Sequence, residues 1–485
     1  MELHNKESEP NTNIPLCVDL DGTLTIDDTL WHSFLLAFNK APLRTLHAIA
    51  AFIFKGKATG KMKLAEICTP DPSLYVWNQH VVSFVNEAHA RNQPVWLVTA
   101  ANEKIAEKVS NHFGFFKKVL ASNGERNLRG LKKLQLIIEE NGGKPFDYIG
   151  NDHTDITVFS KSRSCHVTNP SQAFVELAKS QVPNLNSMDH PHSGKSRIKS
   201  VIKALRCKQW VKNLLIFIPI FTAHELSNST AWYSAILGFL AFSLVASAVY
   251  VFNDILDIHS DRKHPVKKTR PFASGEMELP IGISLFAVCL LSSLFIASQV
   301  GIAFTSVIVV YLIATFSYSI YIKSLLLMDA FFLAFFYTIR VYAGAVAIGV
   351  ELSNWLLTFS CFTFLSLGLL KRFSDIKLLS LTTNSVPGRA YKTSDLPVLM
   401  SLGTACAVAA TVTLALYVDY SAQTQLYRRP ALLWFICPLF FYSISRLWIL
   451  GNANNDLHDP VEFAVKDKQS LVVAALILLL LILSF

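Results

Sequence analysis

The chain divides by the length of its apolar runs. Before about residue 200 these runs are strand-sized, as at 14–18, 95–98 and 148–149, and the stretches between them mix apolar and charged positions. From about Trp210 onward, long apolar runs alternate with short polar loops. A spanning helix needs about 20 mainly apolar residues. Nine stretches qualify: 212–224, 231–252, 279–299, 301–321, 325–349, 354–370, 397–418, 431–450 and 469–485. The first is the weakest and carries Pro219 inside it. Between the halves, Asn184 to Lys199 (NLNSMDHPHSGKSRIK) is a polar linker. The predicted organisation is an α/β domain over 12–183, a linker over 184–205, and an all-α polytopic membrane domain with nine transmembrane helices over 206–485.

A chain of 485 residues is too long for one ordinary soluble core. Charged residues make up only 16%, against about 25% in soluble domains. The net charge of +9 does not require a nucleic-acid partner, because the loops account for it. With a cytoplasmic amino terminus, nine spans make 253–278, 322–324, 371–396 and 446–468 the inner loops. These hold fourteen basic residues, Arg389 among them, whereas the outer loops hold only Arg428 and Arg429. That asymmetry is the positive-inside pattern. The polar start, MELHNKESEP, has no signal-peptide character. The eight cysteines form no CxxC pair, so neither zinc nor a disulfide framework is expected.

Where the second span meets its inner loop, residues 253–271 read NDILDIHSDRKHPVKKTRP. Asp254, Asp257 and Asp261 are three and four residues apart, a spacing that puts three carboxylates on one helix face. Such repulsion calls for a hard divalent cation, and Mg²⁺ commonly shares its shell with substrate phosphates. Asn253 adds an amide. Arg262, Lys263, Lys267, Lys268 and Arg270 follow and suit the remaining phosphate charge. The bland alternative is a solvated helix with interleaved charges. This NDxxDxxxD motif resembles the first aspartate-rich motif of the intramembrane (UbiA) prenyltransferase superfamily. Arg206 to Pro219 (RCKQWVKNLLIFIP) is similar to that superfamily's opening segment. The resemblance runs over roughly 200–485 and implies that Asp254, Asp257 and Asp261 hold Mg²⁺ against a diphosphate.

Members that prenylate aromatic rings carry a second aspartate-rich motif after the sixth span. Here that loop reads LLKRFSDIKLLS, with Asp375 behind Lys371 and Arg372. This departure, with YSIYIKSLLLMD, IRVYAGAVAIG and DPVEFAVKDK, resembles the decaprenyl-phosphate phosphoribosyltransferase branch. The resemblance implies transfer of 5-phosphoribose from phosphoribosyl diphosphate to a polyprenyl phosphate. Lys212, Lys323, Arg340, Lys371 and Arg372 are then candidates for the 5-phosphate or the lipid phosphate. Arg340 lies mid-span, where a guanidinium costs at least ~2.5–3.5 kcal/mol and needs a partner, so a structural pair is the alternative role. Lys323 and Lys371 sit at span ends, where topology alone accounts for bases.

Residues 14–23 read IPLCVDLDGT. Asp19 and Asp21, two apart, project to one face at the carboxyl end of a strand, where open α/β sheets bind ligands. One carboxylate can attack phosphorus while the other moves the leaving-group proton. Thr99 ends a second strand, Asn127 to Lys133 supplies Lys133 or Lys132, and Tyr148 to Asp155 ends in Asp152 and Asp155. The ordered set resembles the four motifs of the haloacid dehalogenase (HAD) superfamily over roughly 12–180. That resemblance implies a Rossmannoid fold with Asp19 as nucleophile and Asp21 as acid/base. It implies Thr99 and Lys133 on phosphate, and Asp152 with Asp155 completing an Mg²⁺ site shared with Asp19 and Asp21. A degenerate, non-catalytic domain is the alternative. The helices of 29–80 suit a small cap, with their apolar faces in ordinary packing or, alternatively, on a membrane.

The expectation is an inner-membrane enzyme with one Mg²⁺ site in each domain, both facing the cytoplasm. Its partners are the bilayer, a polyprenyl lipid and a phosphorylated sugar diphosphate donor. The competing readings are prenyl transfer to an aromatic acceptor, a membrane-anchored phosphatase or transporter, and a scaffold with an inactive HAD domain.

Overall fold

The structure is a computed structural model and describes residues 14–169, 171–191, 196–264, 266–379, 390–423, 426–453 and 459–485. The polar start, Arg389 and part of the 184–205 stretch lie outside the described residues. The chain forms two compact units. The first joins the described residues up to Ala204 with Asp254–Ile283, and the second comprises Leu205–Asn253 and Ser284–Phe485.

The first unit is built on a six-stranded parallel sheet ordered β3-β2-β1-β4-β5-β6. Its strands are β1 (Leu16–Val18), β2 (Val95–Asn102), β3 (Phe116–Ser122), β4 (Asp147–Gly150), β5 (Ser164–Val167) and β6 (Leu185–Ser187). Cys17, Val18, Leu97, Val98 and Ile149 are fully buried, as befits strands covered on both faces. β1 pairs Leu16 with Val95 of β2 and with Asp147 of β4, so the carboxyl ends of these three strands come together. Helices α1 (Thr29–Lys40), α2 (Pro42–Phe54), α3 (Lys57–Ile67) and α4 (Gln79–Ala90) lie between β1 and β2. α5 (Glu103–Phe113), α6 (Leu131–Glu140), α7 (Ile156–Phe159) and α8 (Gln172–Gln181) make the later crossovers, and α9 (Arg197–Leu205) follows the sheet. The 184–205 stretch is therefore not all linker: it carries an edge strand and a helix.

α1, α2 and α3 share a small core of Ala37, Ala48 and Leu64. Ordinary packing of every apolar face fails for α2. Thr45, Ala48 and Ala51 point inward, while Leu43, Leu46, Ile53 and Phe54 remain exposed.

The second unit opens with a 3₁₀ run over Cys207–Phe217 and the short helix α10 (Ile218–Thr222). There follow α11 (Ser229–Leu256), α12 (Ile258–Lys263, within the first unit), α13 (Leu279–Val300) and α14 (Ile302–Ile320). The series ends with α15 (Met328–Ile348), α16 (Asn354–Leu379), α17 (Leu396–Gln423), α18 (Ile436–Ala453), α19 (Pro460–Lys466) and α20 (Lys468–Ser484). Gly344 of α15 lets the 3₁₀ run come close, since a Cβ there would collide with the Ile216 carbonyl.

Among the described residues, seven helices are long and apolar enough to cross a membrane, or eight if α19 and α20, bent by 82°, form one broken span. The chain is an integral membrane protein. The expected count of nine is not met, because 212–224 folds as a 3₁₀ run plus a five-residue helix rather than one long α-helix.

Candidate functional site

At the carboxyl end of the sheet a cavity of ≈ 960 Å³ is lined by Asp19, Asp21, Lys133, Asn151, Asp152 and Asp155, among others. Asp19 follows β1 directly, and the turn after Asp21 needs Gly22, whose φ of +72° and missing Cβ admit the Asn151 side chain. Lys133, buried on α6, donates to Asp19 Oδ1 at 2.9 Å and to Asp155 Oδ1 at 3.2 Å. Tyr148 Oη donates to the same Asp155 oxygen at 2.7 Å. Asp155 Oδ2 accepts from the Asn151 and Asp152 amides at 3.0 and 3.1 Å. Asp21 Oδ1 accepts from the Thr29 amide at 2.7 Å.

These contacts set the charges. Burial, reinforced by Asp155 and only partly offset by Lys133, pushes Asp19 up to about 7. Burial and then the charge of Asp28 push Asp21 up to about 6. For Asp155 burial also acts upward, but Lys133 and the hydrogen bonds from Tyr148 and two amides outweigh it and hold its carboxyl below the usual range. Burial opposes the charge on Lys133, yet Asp155 and Asp19 more than compensate and raise its pKa.

The other candidates are placed less centrally. Asp152 pairs with Arg129 at 3.1 Å near the surface. Thr99 is fully buried and accepts from the Ala101 amide at 2.9 Å, while its neighbours Ala100, Ala101 and Asn102 line the cavity. Lys132 points away, lining a separate shallow depression. Sequence reasoning missed Lys61 of α3, whose Nζ donates to Ala100 O at 2.6 Å and Asn127 Oδ1 at 3.3 Å beside the cavity. No spacing signal marks it, because it belongs to the insert rather than to a strand end.

The aspartate-rich stretch does not form one helical face. α11 ends at Leu256, and Asp257 (φ −88°, ψ 5°) separates it from α12. Asp254 and Asp261, both buried, converge on Arg270 Nη1 at 3.0 and 2.7 Å, whereas Asp257 sits at the break without a side-chain capping bond. Among the described residues no three carboxylate, thiolate or imidazole side chains are set as a metal cage. The donor set still fits a hard cation: two buried carboxylates share one positive group, and Arg270 stands where that charge belongs. Lys267 is exposed on a short 3₁₀ turn. Arg262 is not free for phosphate. It forks onto Asp27 at 2.9 and 2.6 Å, donates to Ala273 O at 3.0 Å and reaches the Leu74 carbonyl. His32 completes this cluster, with Nε2 3.2 Å from Asp27.

In the second unit the bases find partners far apart in sequence. Lys212 meets Asp459 at 2.5 Å, and Lys371 meets the same oxygen at 3.5 Å. Arg372, 1% exposed, pairs with Asp329 at 2.5 Å and Asp375 at 2.8 Å, and Tyr391 also bonds Asp329. Arg340 donates to Asn213 Oδ1 at 2.7 Å, to the Phe336 carbonyl and to Tyr311 Oη at 3.4 Å. It also lies 5.1 Å from the Phe242 ring centre. These donors are thus spent on neutral groups, as a structural role requires. Lys323 is half-buried on the turn after α14, and Asn253 is half-buried near the end of α11.

Comparison with known proteins places the chain. The UbiA prenyltransferase family matches residues 214–456, half of the chain. An uncharacterized protein of Sinorhizobium fredii, y4nM, is 31% identical over 467 residues, covering 96% of this chain and 90% of the relative. A decaprenyl-phosphate phosphoribosyltransferase of Corynebacterium glutamicum is 31% identical over 288 residues, covering 58% of this chain and 85% of the relative. A UbiA homologue from Archaeoglobus fulgidus, solved bound to GPP and Mg²⁺, is 17% identical and covers 58% of this chain and 99% of its own, with a TM-score of 0.45. On the family match and the Corynebacterium relative, the chain belongs to the UbiA prenyltransferase family.

Proposed function

We propose that residues 206–485 transfer 5-phosphoribose from phosphoribosyl diphosphate to a polyprenyl phosphate, and that residues 12–183 form a HAD-like phosphatase that then removes the 5-phosphate. The carrying observation is the convergence of Lys212 and Lys371 on a single carboxylate, Asp459. Two cations against one anion leave positive charge for a phosphate group. A prenyl-transferring member needs acids there for its second diphosphate-bound cation. The name of the Corynebacterium relative agrees with the phosphoribosyl reading.

In the transfer step a phosphate oxygen of the lipid attacks the anomeric carbon. The carbon–oxygen bond to diphosphate breaks, and the electron pair leaves with the diphosphate. The acceptor oxygen is already anionic, so positioning and charge stabilisation are the main tasks. Asp254 and Asp261, with Asp257, would hold a Mg²⁺ ion that supplies charge to the departing diphosphate. In the phosphatase step Asp19 attacks phosphorus and forms an aspartyl-phosphate, while Asp21 gives its proton to the leaving oxygen. Lys133 offsets phosphate charge. Asp19, Asp21, Asp152 and Asp155 would hold a second Mg²⁺ ion, which would offset charge on the phosphate.

Both sites are read as cytoplasmic, in an inner membrane. The packing of the 254–283 segment in one compact unit with the α/β region supports a common side of the bilayer for both. The functional test uses the Asp19→Asn variant with labelled phosphoribosyl diphosphate, polyprenyl phosphate and Mg²⁺. A lipid product that retains the 5-phosphate is expected. No labelled lipid from the variant or from the unsubstituted chain overturns the reading.

A further inference from the structure

Helix α2 is inverted relative to a helix on a soluble surface. Its inward face carries the small residues Thr45, Ala48 and Ala51. Its outward face carries Leu43, Leu46, Ile53 and Phe54, at 75, 54, 71 and 83% exposure. These positions fall on one stripe of a 3.6-residue helix, and a contiguous exposed stripe of this kind marks an interaction surface.

The charge around the stripe says what it meets. Between Asp28 and Glu66 the chain has no acidic residue and, apart from Lys61 at the cavity, five bases: Lys40, Arg44, Lys55, Lys57 and Lys63. α9, in the same unit, repeats the design. Ile198 and Ile202 are 71 and 51% exposed beside Lys199 and Lys203, and the chain runs from α9 straight into the unit that carries the membrane-spanning helices. Apolar stripe, basic flank and continuity with a membrane domain together fit an anionic bilayer surface.

We infer that α2 is an interfacial helix that lies in the headgroup region of an anionic bilayer with Leu43, Leu46, Ile53 and Phe54 buried in lipid. This goes beyond the proposed reaction and holds whichever donor the transferase uses. Phe52 of α2, Lys57 and Lys61 of α3 and Val201 of α9 line the same cavity as Asp19 and Asp21. Docking therefore brings one wall of that cavity to the level where a lipid-borne phosphomonoester lies.

The test places a photo-crosslinking amino acid at Leu46 or Phe54 of the full chain, in nanodiscs of phosphatidylcholine and phosphatidylglycerol. Both residues are exposed, so folding is not at stake. Lys144, exposed ahead of β4 at the opposite end of the sheet, is the reference position. Lipid adducts at 46 and 54 are expected to exceed those at 144 by about tenfold, and to fall severalfold when phosphatidylglycerol is left out. Lipid labelling equal to that at 144, or adducts to protein in place of lipid, overturns the inference. An unchanged yield in pure phosphatidylcholine contradicts the role given to the five bases.

Discussion

In the α/β region one cation, Lys133, lies between two carboxylates, Asp19 and Asp155. In the membrane unit one carboxylate, Asp459, lies between two cations, Lys212 and Lys371. The two clusters use the same chemistry with opposite residual sign. With Asp21 at the same cavity and Asp152 paired to Arg129, the first keeps an excess of negative charge suited to a divalent cation. The second keeps positive charge suited to a phosphate. The difference teaches that the balance left over after internal pairing, more than the number of charged residues, indicates which ligand a polar cluster awaits.

Separating the two activities breaks the comparison most sharply. Asp19→Asn is expected to lower phosphate release from the lipid product by about 10⁴-fold or more while transfer persists, since it removes the nucleophile itself. Phosphate assays and lipid chromatography on the same preparation read both. Asp254→Ala is expected to do the reverse, lowering transfer by about 10³-fold and sparing phosphate release from a soluble phosphomonoester. If either variant lowers both activities equally, the two activities do not reside in independent sites.

Smaller changes sharpen the assignment inside the membrane unit. Arg372→Met leaves Asp329 buried without its guanidinium, and a destabilisation of about 3 kcal/mol is expected. A lowered midpoint of thermal unfolding in detergent checks it, with Tyr391 limiting the loss. Lys371→Met is milder. Lys371 is 30% exposed at its side chain and sits at the longer distance from Asp459, so its loss should raise the KM for the donor about tenfold with little effect on unfolding. A stability loss matching that of Arg372→Met would make Lys371 structural instead.

The strand-end residues were legible because parallel strands put their carboxyl ends in one place. Asp19, Lys133 and Asp155 are up to 136 positions apart, yet each follows a recognisable strand or helix start. Asp254 and Asp261 were legible as a pair, but not their environment. A uniform helix was expected, whereas the chain breaks at Asp257 and lets Arg270 fold back between them. Nothing local announces such a return. Arg340 shows the same limit: its mid-span position signals a partner, but Asn213 lies 127 residues away. The 3₁₀ run over Cys207–Phe217 escaped because apolar composition is blind to helix type. α2 is the converse case. Its apolar residues were plain, and only the structure revealed that the small ones face inward.

The central claim is the identity of the transferred group. The most direct measurement is the mass of the lipid product when the purified chain receives polyprenyl phosphate, Mg²⁺ and phosphoribosyl diphosphate, side by side with a polyprenyl diphosphate and an aromatic acceptor. The account predicts a lipid-linked pentose, with or without its 5-phosphate, in the first reaction and no product in the second. A prenylated aromatic product, with no pentose on the lipid, contradicts it.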